Sequence, residues 1–167
     1  MKFVEELVRR KPTRLYRHDY STPGAYFITV CTKNKEKILS NVGEGLAPPE
    51  PKLSNYGKIA EQQLLNLEKR YPNVTLDKYV IMPNHIHMIL VLRETAGGAS
   101  PSPTISDIMC TFKSLTSRLC KVRYGSETIF QRSFHDHIIR KQDDYDHIWN
   151  YIELNPMYWK KDCFYIE

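Results

Sequence analysis

A chain of 167 residues, 41% apolar or aromatic and 26% charged, has globular composition and the length of one domain spanning 1–167. No run approaches the about eighteen unbroken apolar residues of a membrane helix, and Met1-Lys2-Phe3-Val4-Glu5-Glu6 carries neither a secretory nor a lipidation pattern, so a cytoplasmic protein is expected. The net charge of +5 is unevenly spread: residues 1–17 hold six Lys/Arg against Glu5 and Glu6, and 111–141 hold Lys113, Arg118, Lys121, Arg123, Arg132, Arg140 and Lys141 against Glu127 and Asp136. Such a bias suits a polyanion, although basic solvated surfaces are common.

After the basic leader, the β-branched and aromatic run Ala25–Thr32 predicts a strand following the turn-like Thr22-Pro23-Gly24. Residues 41–52 are too rich in Pro and Gly for a helix or an inner strand. Ser54 is a candidate N-cap for a helix whose apolar stripe is Tyr56, Ala60, Leu64, Leu67 and Tyr71, stopped by Pro72. Residues 74–82 read as a strand, and past the kink at Pro83-Asn84 the run His85–Leu92 reads as a central one. A flexible stretch, Thr95–Pro103, leads to a second helix with Ile105, Ile108, Phe112, Leu115 and Leu119 on one face. Phe130–Arg140 predicts a further strand, and a last helix begins at Asp143/Asp144, runs through Tyr145, Ile148, Trp149, Tyr151 and Ile152, and ends at Asn155-Pro156. The order strand, helix, strand, strand, helix, strand, helix predicts an α+β fold, a ferredoxin-like antiparallel sheet with helices packed against it, and loops near 41–53 and 94–104. Cys31, Cys110, Cys120 and Cys163 form no C-x-x-C pair and are expected to be free thiols.

Side chains alternate along a strand, so His85 and His87 project from one face and could chelate one cation. A bare His-x-His pair is first read as two polar residues of a half-exposed strand. Here its neighbours are Ile, Met, Leu and Val, and two histidines buried among them need hydrogen bonds or a metal. A metal held by two imidazoles wants a further protein ligand, and the last helix offers Tyr151 and Asn155 at i and i+4, on one face. Local rules also explain both, Tyr151 as a core aromatic and Asn155 as a residue at the helix end before Pro156.

Three segments in register, Tyr79-Val80-Ile81-Met82-Pro83-Asn84-His85-Ile86-His87, Phe130–Arg140 and Tyr151-Ile152-Glu153-Leu154-Asn155-Pro156, resemble the IS200-like tyrosine transposases, especially the REP-associated ones, over roughly residues 20–160. The resemblance implies a single-tyrosine HUH endonuclease of ferredoxin-like fold. It also implies that His85 and His87 are the metal pair, Asn155 a further ligand and Tyr151 the nucleophile, which forms a 5′-phosphotyrosine and frees a 3′-hydroxyl. The implied cofactor is a divalent metal, Mg or Mn, and the implied partner is single-stranded or hairpin DNA, cut and rejoined by a monomer or by a homodimer. Phe130 stands where relatives often carry Trp, and the eleven residues after Pro156 are fewer than in many REP-associated members. Lys113, Arg118, Arg132 and Arg140 are candidate phosphate contacts. His135, His137 and His147 rank behind His85 and His87 as ligands. Two rival readings are a DNA-binding protein of the same fold that no longer cuts, and a metal-stabilised domain with no nucleic-acid role.

Overall fold

The computed structural model describes residues 15, 18–43, 49–95, 97 and 102–167. Nearly all of the basic leader, residues 44–48 of the first loop, and residues 96 and 98–101 of the second lie outside them. In chain order the elements are β1 (Gly24–Cys31), β2 (Ser40–Asn41), β3 (Lys52–Leu53), α1 (Asn55–Leu65), α2 (Leu67–Arg70), β4 (Val74–Ile81), β5 (His85–Leu92), α3 (Ile105–Tyr124), β6 (His135–Ile139) and α4 (Gln142–Leu154). The main sheet has the order β4-β5-β1-β6, every pair antiparallel. This is the expected ferredoxin-like arrangement, with β5 and β1 central. β2 and β3 pair as a short ribbon that closes the Pro-rich loop.

The two-residue repeat divides the apolar side chains between the faces of the sheet. Tyr26, Ile28 and Val30 of β1, with Ile86, Met88 and Leu90 of β5, join Ile59 and Leu64 of α1 and Ile108 and Phe112 of α3 in the larger core. Phe27, Cys31 and Ile89 face the other way, against Ile148 and Ile152 of α4 and against Trp159 and Phe164. Burying a side chain of this size contributes about 1.5–3 kcal/mol, so these four anchors hold α4 and the tail on the sheet. At its rim α4 is tied to β4 by hydrogen bonds from Tyr145 to Asp77 and from Lys78 to Glu153, with the Lys78 ammonium 3.9 Å above the Trp149 ring.

The structure differs from the expected elements in three places. The first helix divides at Asn66 instead of running unbroken to Tyr71. The last strand covers only His135–Ile139, preceded by a lone bridge between Thr32 and Phe130. In the intervening segment the Arg132 carbonyl accepts a 2.7 Å hydrogen bond from Lys113 Nζ, so this backbone acceptor is turned to α3. The second helix continues to Tyr124 because it is capped at both ends, by a Thr104/Asp107 capping box and by Gly125 at φ 65°. The Ser54 cap is as expected, its hydroxyl accepting from the Gly57 N–H at 3.1 Å.

Gly57 has a steric role. A Cβ there would stand 2.0 Å from the Leu39 carbonyl oxygen, whose position is held by the 2.9 Å hydrogen bond it accepts from Ser54 N–H. Gly57→Ala is expected to lower stability in urea unfolding by about 1–3 kcal/mol, the usual cost of overpacking; an unchanged midpoint would show that α1 is free to shift.

Candidate metal and tyrosine site

β5 delivers His85 and His87 to the α4 side of the sheet, with ring centroids 4.4 Å apart, and both residues are buried. Each ring is oriented through Nδ1. The Asn84 amide donates to the carbonyls of Phe164 (2.8 Å) and Lys35 (3.3 Å), so its Oδ1 is an acceptor and meets His85 Nδ1 at 2.9 Å. The His85 proton therefore belongs on Nδ1, and the Nε2 lone pair is available to a ligand. Across the strand pair, Thr29 Oγ1 meets His87 Nδ1 at 2.8 Å, which again leaves Nε2 facing the site.

α4 presents Tyr151 and Asn155 one turn apart, opposite these nitrogens. The Tyr151 hydroxyl lies 3.1 Å from His87 Nε2, and its ring meets Phe27 edge-on at 6.2 Å between centroids. Asp162, which no sequence pattern singles out, completes the cluster. After Pro156 the chain turns through a 3-10 segment, Trp159–Lys161, and the buried Trp159 and Phe164 pin the tail beside His85, at 5.9 and 4.6 Å between centroids. Asp162 is thereby turned inward. Its Oδ2 accepts from Asn155 Nδ2 (2.6 Å) and Tyr151 Oη (3.2 Å), and its Oδ1 accepts from the Phe164 N–H (2.7 Å). Among the described residues His85, His87 and Asp162 each offer one ligand atom, all within 4.8 Å of one another.

A divalent ion fits this set. His85 Nε2 and Asn155 Oδ1 are buried with no partner in good hydrogen-bonding geometry, although the Asn155 side chain lies close enough to influence the His85 ring, a costly condition unless something binds them. Two imidazole nitrogens, a carboxylate and a carboxamide oxygen make a donor set for a borderline or hard divalent cation. Burial, the largest influence on either ring, lowers the His85 pKa to about 4 and that of His87 well below its ordinary value. Both are thus neutral and ligand-competent at pH 7. Burial, followed by the Asp162 carboxylate, pushes the Tyr151 phenol up from 10.0, so without added positive charge the phenolate is strongly disfavoured.

The histidine shift fixes a sign for acid stability. The unfolded chain takes up a proton at His85 near pH 6.5 but the folded chain only near 4, so stability is complete above 6.5, falls as the pH drops through that interval, and levels off below it. In chelator, His85 alone is expected to account for about 3 kcal/mol of this loss. Urea midpoints at pH 7 and 4.5 should show it, with a smaller difference in His85→Gln; an equal difference would remove His85 as the cause.

The proposed phosphate contacts are elsewhere. Lys113 and Arg132 line a groove along α3, on the opposite face of the sheet, and Arg118 is exposed on the same helix. Arg140 follows Ile139, which pairs with Ala25 at the end of β1 away from His85. His135 shares the site face in register with Thr29, His137 Nε2 bonds Asp144 Oδ2 at 2.8 Å, and His147 Nδ1 contacts the Asp143 carbonyl at 2.5 Å. All four cysteines are free, and among the described residues no helix is long and apolar enough to cross a membrane.

Comparison with known proteins found no matching family model. An uncharacterized protein of Haemophilus influenzae is 29% identical over 181 aligned positions, covering 99% of this chain and 98% of that one. A REP-associated tyrosine transposase of Escherichia coli is 26% identical over 142, covering 85% of this chain and 72% of its own. Among solved structures, a REP-associated tyrosine transposase bound to a REP hairpin superposes with a TM-score of 0.62 at 23% identity, covering 86% of this chain and 73% of that one.

Proposed function

We propose that this chain, a relative of the REP-associated tyrosine transposases, is a metal-dependent nuclease and strand transferase that cuts hairpin-bearing single-stranded DNA through Tyr151. The observation that carries the reading is the meeting of the Tyr151 hydroxyl, His87 Nε2 and Asp162 Oδ2 within hydrogen-bond distance, beside two orphaned donor atoms that fit a cation. His85, His87 and Asp162, with Asn155 Oδ1, would hold the ion. Mg²⁺ or Mn²⁺ bound there would supply Lewis acidity to the scissile phosphate and charge against the phenolate.

The protein groups perform the remaining work. Phe27 and the buried face of α4 fix the Tyr151 ring, so its oxygen is presented without the entropy of a free side chain. Oη attacks phosphorus in line and forms the tyrosyl phosphodiester, while the 3′-oxygen leaves and takes a proton from water. As the new bond forms the phenolic proton becomes strongly acidic, and Asp162 Oδ2, 3.2 Å away, is placed to accept it. The phosphodiester is conserved in the covalent link, so attack by a 3′-hydroxyl reverses the step and joins strands without ATP. The test incubates protein and Mn²⁺ with a labelled hairpin carrying unpaired flanks. A denaturant-resistant protein–DNA adduct is expected, lost in EDTA; no adduct with any divalent metal would remove the reading.

A further inference from the structure

We propose that the groove beside the tail segment 157–165 is a nucleobase-binding site that holds unpaired nucleotides next to the scissile phosphate. This rests on the reading that the chain acts on single-stranded DNA. The groove, about 730 Å³, lies between the β2 region and the tail, and carries Lys37 and Lys161 on its rim, with no acidic side chain among the described residues lining it. Part of its wall is aromatic. Tyr158 is 50% exposed, Trp159 and Tyr165 meet edge-on at 5.1 Å, and the Lys37 ammonium lies 5.8 Å above the Tyr165 ring. Flat apolar surface set among cations matches a chain of bases joined by phosphates, because the rings stack on bases of any sequence and the ammonium groups displace counterions.

Continuity with the reactive centre selects the occupant. Pro156 lines the groove and directly follows Asn155, while the Trp159 ring, on the groove wall, lies 5.9 Å from that of His85. The groove and the Tyr151 site thus flank one short segment, residues 155–159, and we place the path of a strand bound at Tyr151 along it. An acidic peptide would meet the same lysines, but the half-exposed Tyr158 ring and this path favour a nucleic acid.

The experiment measures binding by fluorescence anisotropy in EDTA, so that no cleavage intervenes, using a blunt DNA hairpin and the same hairpin with a short unpaired tail at either end. The wild type is expected to prefer one tailed hairpin by about ten-fold. Tyr158→Ala removes that preference and Tyr158→Phe keeps it, while Lys161→Ala lowers the salt slope for the tailed hairpin by about 0.7. Both side chains are exposed, so loss of fold is not the expected cause of any change. The proposal is overturned if the wild type shows no tail preference, if Tyr158→Ala retains it, or if Tyr158→Ala weakens the blunt hairpin equally. Adduct formation with an unaltered tail preference in Tyr158→Ala sinks the groove alone. A Tyr158-dependent preference without any adduct sinks the nuclease reading and leaves the groove standing.

Discussion

Tyr151→Phe is expected to yield no detectable adduct and to reduce DNA cleavage at least about a thousand-fold, because a missing nucleophile cannot be offset by the groups around it. Folding should hardly change. The ring keeps its edge contact with Phe27, and the loss is one hydroxyl whose hydrogen bond to Asp162, made beside His87 Nε2, is worth about 1 kcal/mol net. Hairpin binding in EDTA should stay near wild type, since Oη contributes chemistry rather than affinity. An adduct of normal yield in the variant would move the nucleophile to another residue. The half-exposed Tyr158, seven positions on in sequence, would be the first to test.

The second large effect concerns the cation. By Mn²⁺ titration, His87→Ala should cost more than the about 10–100-fold typical of losing an outer-shell partner, because a donor nitrogen disappears and leaves the other ligands converging on an incomplete site. Asp162→Ala and Asn155→Ala separate two roles that geometry links. If Asp162 is a ligand, its variant loses Mn²⁺ affinity at least as severely as Asn155→Ala. If Asp162 merely tethers the Asn155 amide through the 2.6 Å hydrogen bond, its variant frees that side chain and affinity stays within a few-fold of wild type. The second result would restrict the protein ligands to His85, His87 and Asn155.

Alternation along β5 made the shared face of His85 and His87 legible in the sequence, and the i, i+4 spacing did the same for Tyr151 and Asn155, since both patterns follow from backbone geometry alone. Asp162 has no such periodicity behind it. It enters the site because Trp159 and Phe164 are buried on either side of it, and a short aromatic spacing after a helix-ending Pro156 would have been the signal to follow. Lys113 and Arg132 look alike on a charge count. The structure instead spends the Lys113 ammonium on the Arg132 carbonyl, a tertiary contact joining residues on separate elements that no local pattern records.

The proposed nucleophile and all the candidate ligands belong to one chain, with the Tyr151 hydroxyl 3.1 Å from its own His87. A single copy therefore carries every side chain of the proposed site, and the adduct yield per molecule is expected not to change as the protein is diluted.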